Sequence, residues 1–283
     1  MWYFFKRLDV IDSNNQPGKH FGDPLWIWYN YKLLKGDTRD QALIIEEGRE
    51  MMERVKKRGV PISEGYGQTF SDAPEALNAE TKRLYEDAKV CLWTDIDSSF
   101  VKSLSALELK TKAMDRKDYV YHPFSGEELD ADSTKKLKQA FSGRISHDVQ
   151  IVISDGLNAR ALMDEGHLLP FLAALKQQLN KEGFTSSEQH LFINKGRVRA
   201  GYRCGEQVFS GKTDTKRSVL HIIGERPGNG HRTFSVYMTK QTEKQWQEGK
   251  TDHNVTRVVS GISDTTLLPE TAAELVVGIL KSL

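Results

Sequence analysis

The sequence is poor in the features that mark several common protein classes. It holds only two cysteines, Cys91 and Cys204, far apart and in no metal-like spacing. That excludes a disulfide-dense secreted scaffold and fits two reduced thiols. No apolar run approaches the ~18 residues that a bilayer span needs. The aromatic start, Met1 to Phe5, is too short for the core of a signal peptide, and basic residues follow it at once. A surplus of one charge is missing too, since 40 basic residues meet 39 acidic ones. Binders of nucleic acid or membrane surfaces need a positive excess, so composition speaks against both. These absences point to a soluble cytoplasmic protein. With 283 residues, 38% of them hydrophobic, the chain can build one or two domains with a real core.

Familiar catalytic motifs are missing as well. Gly205 and the run Gly211-Lys212-Thr213 approach a phosphate loop, but five residues separate the glycines. The amide cradle needs four there. Gly228-Asn229-Gly230 lacks the third glycine of a dinucleotide fingerprint and follows Pro227, where a helix would have to open. There is no G-x-S-x-G elbow and no H-E-x-x-H. The eight histidines are scattered, and none pairs with cysteine or carboxylate at zinc spacing.

What is present falls into three stretches. Residues 1–75 are rich in aromatics, among them Trp2, Phe21, Trp26, Trp28 and Tyr31, and suggest a helical extension that packs on a core or a partner. Thr38 and Gln41 form a possible capping box for a helix that runs to Lys57, before Gly59 and Pro61. Residues 76–147 read as a helical connector, with Leu/Ala-spaced segments at 78–92 and 98–115, a turn at 122–126 and a charged helix at 132–141. From 148 the texture is α/β. Val149–Ile153 is a β-branched run suited to a buried parallel strand. Leu168, Leu172, Leu175 and Leu179 mark a helix closed by Gly183. Further strands are expected at 190–194, 218–223 and 233–238, with a helix near 205–210 and a last one from Pro269. Its apolar stripe is Ala272, Leu275, Val276, Ile279, Leu280 and Leu283. This alternation predicts an α/β fold whose mostly parallel sheet carries helices on both faces, preceded by a mainly helical N-terminal region.

Ligands bind such sheets at the carboxyl ends of the strands. Two loops there carry chemistry. Ser154-Asp155-Gly156-Leu157-Asn158 offers a hydroxyl, a carboxylate and a glycine, although a helix cap on a tight turn would look the same. Gly224-Glu225-Arg226-Pro227-Gly228 sets a Glu-Arg pair among residues that fix the backbone and allow close approach. The pair could be an ordinary surface ion pair. A pre-set Glu225 also suits accepting hydrogen bonds from a ligand's amide N–H groups.

Three stretches together resemble the small subunit of ethanolamine ammonia-lyase. They are Val149-Gln-Ile-Val-Ile-Ser-Asp-Gly-Leu157, Gly196-Arg-Val-Arg199 and Ile223-Gly-Glu-Arg-Pro-Gly228, in the family's order and near its spacing. The resemblance covers 148–283. It implies a Rossmann-like domain that closes over adenosylcobalamin at the interface with a barrel-shaped large subunit. That partner holds the substrate, and the complex converts ethanolamine to acetaldehyde and ammonia by radical chemistry. By the same resemblance the Val198 carbonyl and the Glu225 side chain contact the corrinoid. Val258 stands where the family has a contacting cysteine. Ser154, Asp155, Gly156, Arg226 and Gly228 complete the candidate cofactor set. No histidine has an aspartate two residues before it, so the D-x-H-x-x-G motif of base-off corrinoid proteins is absent and a base-on cofactor is expected. The resemblance also implies a cytoplasmic hetero-oligomer, with a bacterial microcompartment as a second setting. Phe5-Lys-Arg-Leu-Asp-Val-Ile-Asp12 is similar to the end of the family's large subunit. This suggests a large–small fusion in the chain's origin and a docking role for residues 1–75. Two other readings stand beside this one. One is a structural subunit that has lost cofactor contact. The other is a stand-alone α/β enzyme using Asp155 or Glu225 as a base, which would need a nucleophile or metal nearby.

Overall fold

The computed structural model describes residues 24–57, 75–143, 146–228 and 232–283. The chain divides into two compact units, residues 1–87 and 88–283. The expectation for Phe5–Asp12 and the exit signals Gly59 and Pro61 lie outside the described residues.

In the first unit α1 (Pro24–Leu34) packs on α2 (Gln41–Lys57). A Cβ on Gly48 would come within 2.9 Å of the Trp28 ring, so the glycine admits the indole between the helices. The expected Thr38 cap gives way to Asp40, whose carboxylate accepts the Ala42 amide at 2.8 Å. Asp and Thr are both good caps, and Asp40 is the one that directly precedes the first helical residue. A third helix, α3 (Glu75–Trp93), crosses the division, so that its last residues from Ala88 belong to the second unit.

The second unit is built on a six-stranded sheet in the order β1-β3-β2-β4-β5-β6. Its strands are β1 (Leu107–Lys110), β2 (Val149–Ser154), β3 (Leu191–Asn194), β4 (Lys216–Gly224), β5 (Phe234–Thr242) and β6 (Thr256–Ile262). β1 to β4 pair in parallel; β5 alone runs the other way, antiparallel to both β4 and β6. The mostly parallel sheet expected from the alternation is therefore present. β5 is antiparallel because a loop, rather than a crossover helix, joins it to β4.

Helices cover both faces. On one face α8 (Leu168–Lys181), α11 (Pro269–Ser282) and Val101 of α4 (Ser98–Ser103) pack against Val149, Ile151, Ile153, Leu220, Ile222, Val236 and Met238. On the other, α6 (Ala131–Ala140), α9 (Val198–Val208) and α10 (Glu243–Glu248) close over Val152, Leu191, Ile193 and Val219. Alternate side chains of each strand thus enter opposite cores. Between α4 and α6 lies the short α5 (Arg116–Tyr121), and α7 (Arg160–Met163) follows β2.

Several sequence expectations shift. β1 lies inside the segment 98–115 that reads as helical, because a short edge strand paired with β3 leaves little periodicity of its own. β6 was not foreseen. The helix expected near 205–210 starts earlier and runs from Val198 to Val208. Gly201 and Gly205 look like breakers but let the helix lie close to the sheet: added Cβ atoms there would come within 2.3 Å of His221 and 2.5 Å of Trp246. On α11 the buried stripe is Ala272, Ala273, Val276, Val277 and Leu280, while Leu275 stays 46% exposed.

Candidate functional site

The chain leaves β2 toward β3 on one side and passes from β3 to β4 on the other. The strand order therefore reverses at β2 and β4, where such sheets form a crevice. The loops beyond their carboxyl ends interlock. Gly156 adopts φ +58°, and a Cβ there would sit 2.1 Å from the Gly224 carbonyl oxygen. A Cβ on Gly224 would in turn sit 2.2 Å from the Asn158 carbonyl oxygen and 2.5 Å from that of Asp155. The Leu157 amide donates to the Gly224 carbonyl at 3.1 Å. Glycine is thus required at both positions by close backbone approach.

Asp155 anchors this edge from within. Its side chain is fully buried. One carboxylate oxygen accepts Arg116 Nη1 at 3.0 Å, and the other accepts the Lys195 amide at 2.6 Å. Burial raises its pKa to about 6, against the lowering pull of Arg116 and the Lys195 amide. Lys195 holds φ +58°, an unusual value outside glycine, which points its amide at Asp155. Arg116 also donates to the carbonyls of Leu92 at 2.8 Å and Gly156 at 2.9 Å. The guanidinium groups of Arg116 and Arg197 both approach the Tyr119 ring, 5.2 and 4.7 Å from its centre. The Tyr119 hydroxyl donates to the Gly196 carbonyl at 3.1 Å. The turn that leads into Val198 is therefore tied to both β2 and α5. Arg116, Tyr119 and Lys195 were missed from sequence; nothing in spacing links Arg116 to a carboxylate 39 residues on.

Beneath the edge, Ser154 Oγ and His221 Nε2 form a buried hydrogen bond. Burial lowers the His221 pKa to about 4, with the nearby Val198 carbonyl pulling weakly upward. The ring is neutral at ordinary pH and serves as packing under α9.

The candidates sort by exposure. Ser154, Asp155 and Gly156 form the framework, with the first two fully buried. Val198, Glu225 and Gly228 are half-buried, while Arg226 and Val258 are exposed. Strand register and side-chain contacts link three of this second group, Val198, Glu225 and Val258, and leave Arg226 and Gly228 outside. His221 pairs with Tyr237 and Tyr237 with Val258. The Tyr237 hydroxyl donates to Glu225 Oε1 at 3.2 Å, and the Val198 carbonyl lies near His221. Val198, Glu225 and Val258 are thus all linked to one neighbouring pair, His221 and Tyr237. Among the described residues no group of three or more His, Cys, Asp or Glu could hold a metal ion, and no helix is long and apolar enough to cross a membrane.

A family model described as the ethanolamine ammonia-lyase light chain matches residues 55–283. The chain belongs to this family. It is 37% identical over 177 residues to an ethanolamine ammonia-lyase small subunit of Pseudomonas aeruginosa (strain LESB58), covering 59% of this chain and 61% of the relative. Similar subunits from Pseudomonas syringae pv. tomato and Pseudomonas fluorescens (strain Pf-5) are each 28% identical. The alignments cover 61% and 65% of this chain, and 59% and 67% of the respective relative. The chain thus spans about three-fifths of the first relatives' length.

Proposed function

We propose that this chain is the small subunit of an adenosylcobalamin-dependent ethanolamine ammonia-lyase and presents hydrogen-bond acceptors to the corrinoid where a large subunit covers it. The observation that carries this reading is the state of Glu225: a half-buried carboxylate at the switch point, on a loop braced by Gly224, with a single hydrogen-bonded partner among the described residues. A corrin ring carries peripheral amides whose N–H groups need acceptors. Glu225 and the Val198 carbonyl are acceptors, so the residues present suit the group. Val258 offers an apolar surface beside them in place of a thiol.

The bound cofactor would supply radical initiation for the conversion of ethanolamine to acetaldehyde and ammonia, with substrate held by the large subunit. This chain's part is to bind, orient and exclude water. The lack of a D-x-H-x-x-G motif favours the base-on form. Asp155 is poorly placed to act as a base in a stand-alone enzyme, because it is fully buried and both its oxygens are engaged.

The test is reconstitution with the large subunit and a cobalamin titration. Glu225→Ala should weaken binding by about 1.5–3 kcal/mol, the size of a hydrogen bond to a charged group. Unchanged affinity would remove Glu225 from the site.

A further inference from the structure

A carboxylate has two oxygens, and the Tyr237 hydroxyl takes one of those on Glu225. Tyr237 lies in the middle of β5, its backbone paired to His221 on β4 and Val258 on β6. Its ring turns about only two bonds, whereas a free glutamate side chain samples many rotamers. We propose that Tyr237 is a positioning residue: its hydroxyl fixes the Glu225 carboxylate so that Oε2 faces the ligand's amide donors. This inference rests on the corrinoid reading above and adds a residue to it. Glutamate held this way has lost its rotamer freedom before the ligand arrives, which is how preorganisation raises affinity.

The phenol is suited to the task. Burial and the nearby Glu225 charge push its pKa up to about 12, so the hydroxyl remains a donor at neutral pH. Among the described residues the hydroxyl makes this one hydrogen bond, to Glu225.

The experiment uses the assembled two-subunit complex, with cyanocobalamin as an unreactive probe for equilibrium titration and adenosylcobalamin for turnover. Tyr237→Phe keeps the ring and removes one oxygen. It should raise the cyanocobalamin Kd and the KM for adenosylcobalamin about 3- to 10-fold, the cost of ordering one rotamer-rich side chain on binding. The kcat at saturating cofactor and the KM for ethanolamine should not move. In a Glu225→Ala background the same change should add nothing, because the group it positions is gone. Tyr237→4-aminophenylalanine, which retains a donor in place, should restore the affinity.

Unchanged cofactor affinity in Tyr237→Phe, with Glu225→Ala still weakened, overturns this inference and leaves the corrinoid reading standing. Additive losses would make Tyr237 a direct ligand contact and also overturn it. Failure of Tyr237→Phe to fold or assemble, seen as a lost melting transition, overturns it too, because the hydroxyl would then be holding the sheet. No effect of Glu225→Ala removes the underlying reading itself.

Discussion

The loops after β2 and β4 leave neighbouring strands at the same edge and carry nearly the same chemistry, a carboxylate beside a glycine. The β2 loop turns its carboxylate inward, where Arg116 and the Lys195 amide consume both oxygens of Asp155. The β4 loop holds Glu225 at the surface, with one oxygen on Tyr237. The difference comes from neighbours rather than from the residues themselves. A buried cation exists to receive Asp155, and none does for Glu225 among the described residues. Residue type and strand-end position are therefore too little to nominate a binding group. On the corrinoid reading, the two loops differ in how many carboxylate oxygens the fold leaves free.

The sharpest way to break this contrast is Asp155→Ala, which would leave Arg116 charged and buried without its partner. It should cost about 3–5 kcal/mol of stability, measured by urea denaturation. A cost below about 1 kcal/mol would mean that the pair does not anchor this edge. Next in size is Gly224→Ala. Its Cβ would meet two backbone oxygens at 2.2 and 2.5 Å, and backbone cannot step aside as a side-chain tip can. Overpacking of this kind should cost about 1–3 kcal/mol, with cobalamin binding lost alongside, since the Glu225 loop must move.

A pH series sharpens the same contrast. Asp155 has a folded pKa of about 6, against 3.8 for the free group. Between those values the folded chain keeps a proton that the unfolded carboxyl has released. The residue's contribution to stability is therefore greatest below that window, falls as pH rises through it, and is level above. The wild type should lose stability relative to Asp155→Asn across that interval, by at most about 1.4 kcal/mol per pH unit. Denaturation midpoints of both chains from pH 4 to 7 provide the check, and a difference that grows in the wild type's favour would reverse the assignment. The smallest expected effect is on the other loop. Glu225→Ala should change folding stability by no more than about 0.5 kcal/mol while it weakens cofactor binding.

Much of the second unit was legible. Val149–Ile153 announced a buried strand, the leucine spacing and Gly183 bounded α8, and Pro269 opened α11 where expected. Those signals are local: periodicity, caps and turn residues. What could not be read depends on distance along the chain. β1 is a strand because β3 offers it an edge, and its four residues are too few to show a period. α9 hides behind glycines that sequence rules treat as breakers, and their purpose appears only once His221 and Trp246 are in view. At the site the three stretches that carry the family resemblance were visible. The split between framework and surface was not, because Arg116 and Tyr237 meet the carboxylates across 39 and 12 residues of chain.

The mutual backbone contact of Gly156 and Gly224 bears on how this edge can be engineered. Each loop is the mould in which the other is cast. A graft that carried only the Gly224–Gly228 segment to another sheet would leave behind the surface that shapes it. A transplant would need to move both turns, together with Arg116, as one cassette.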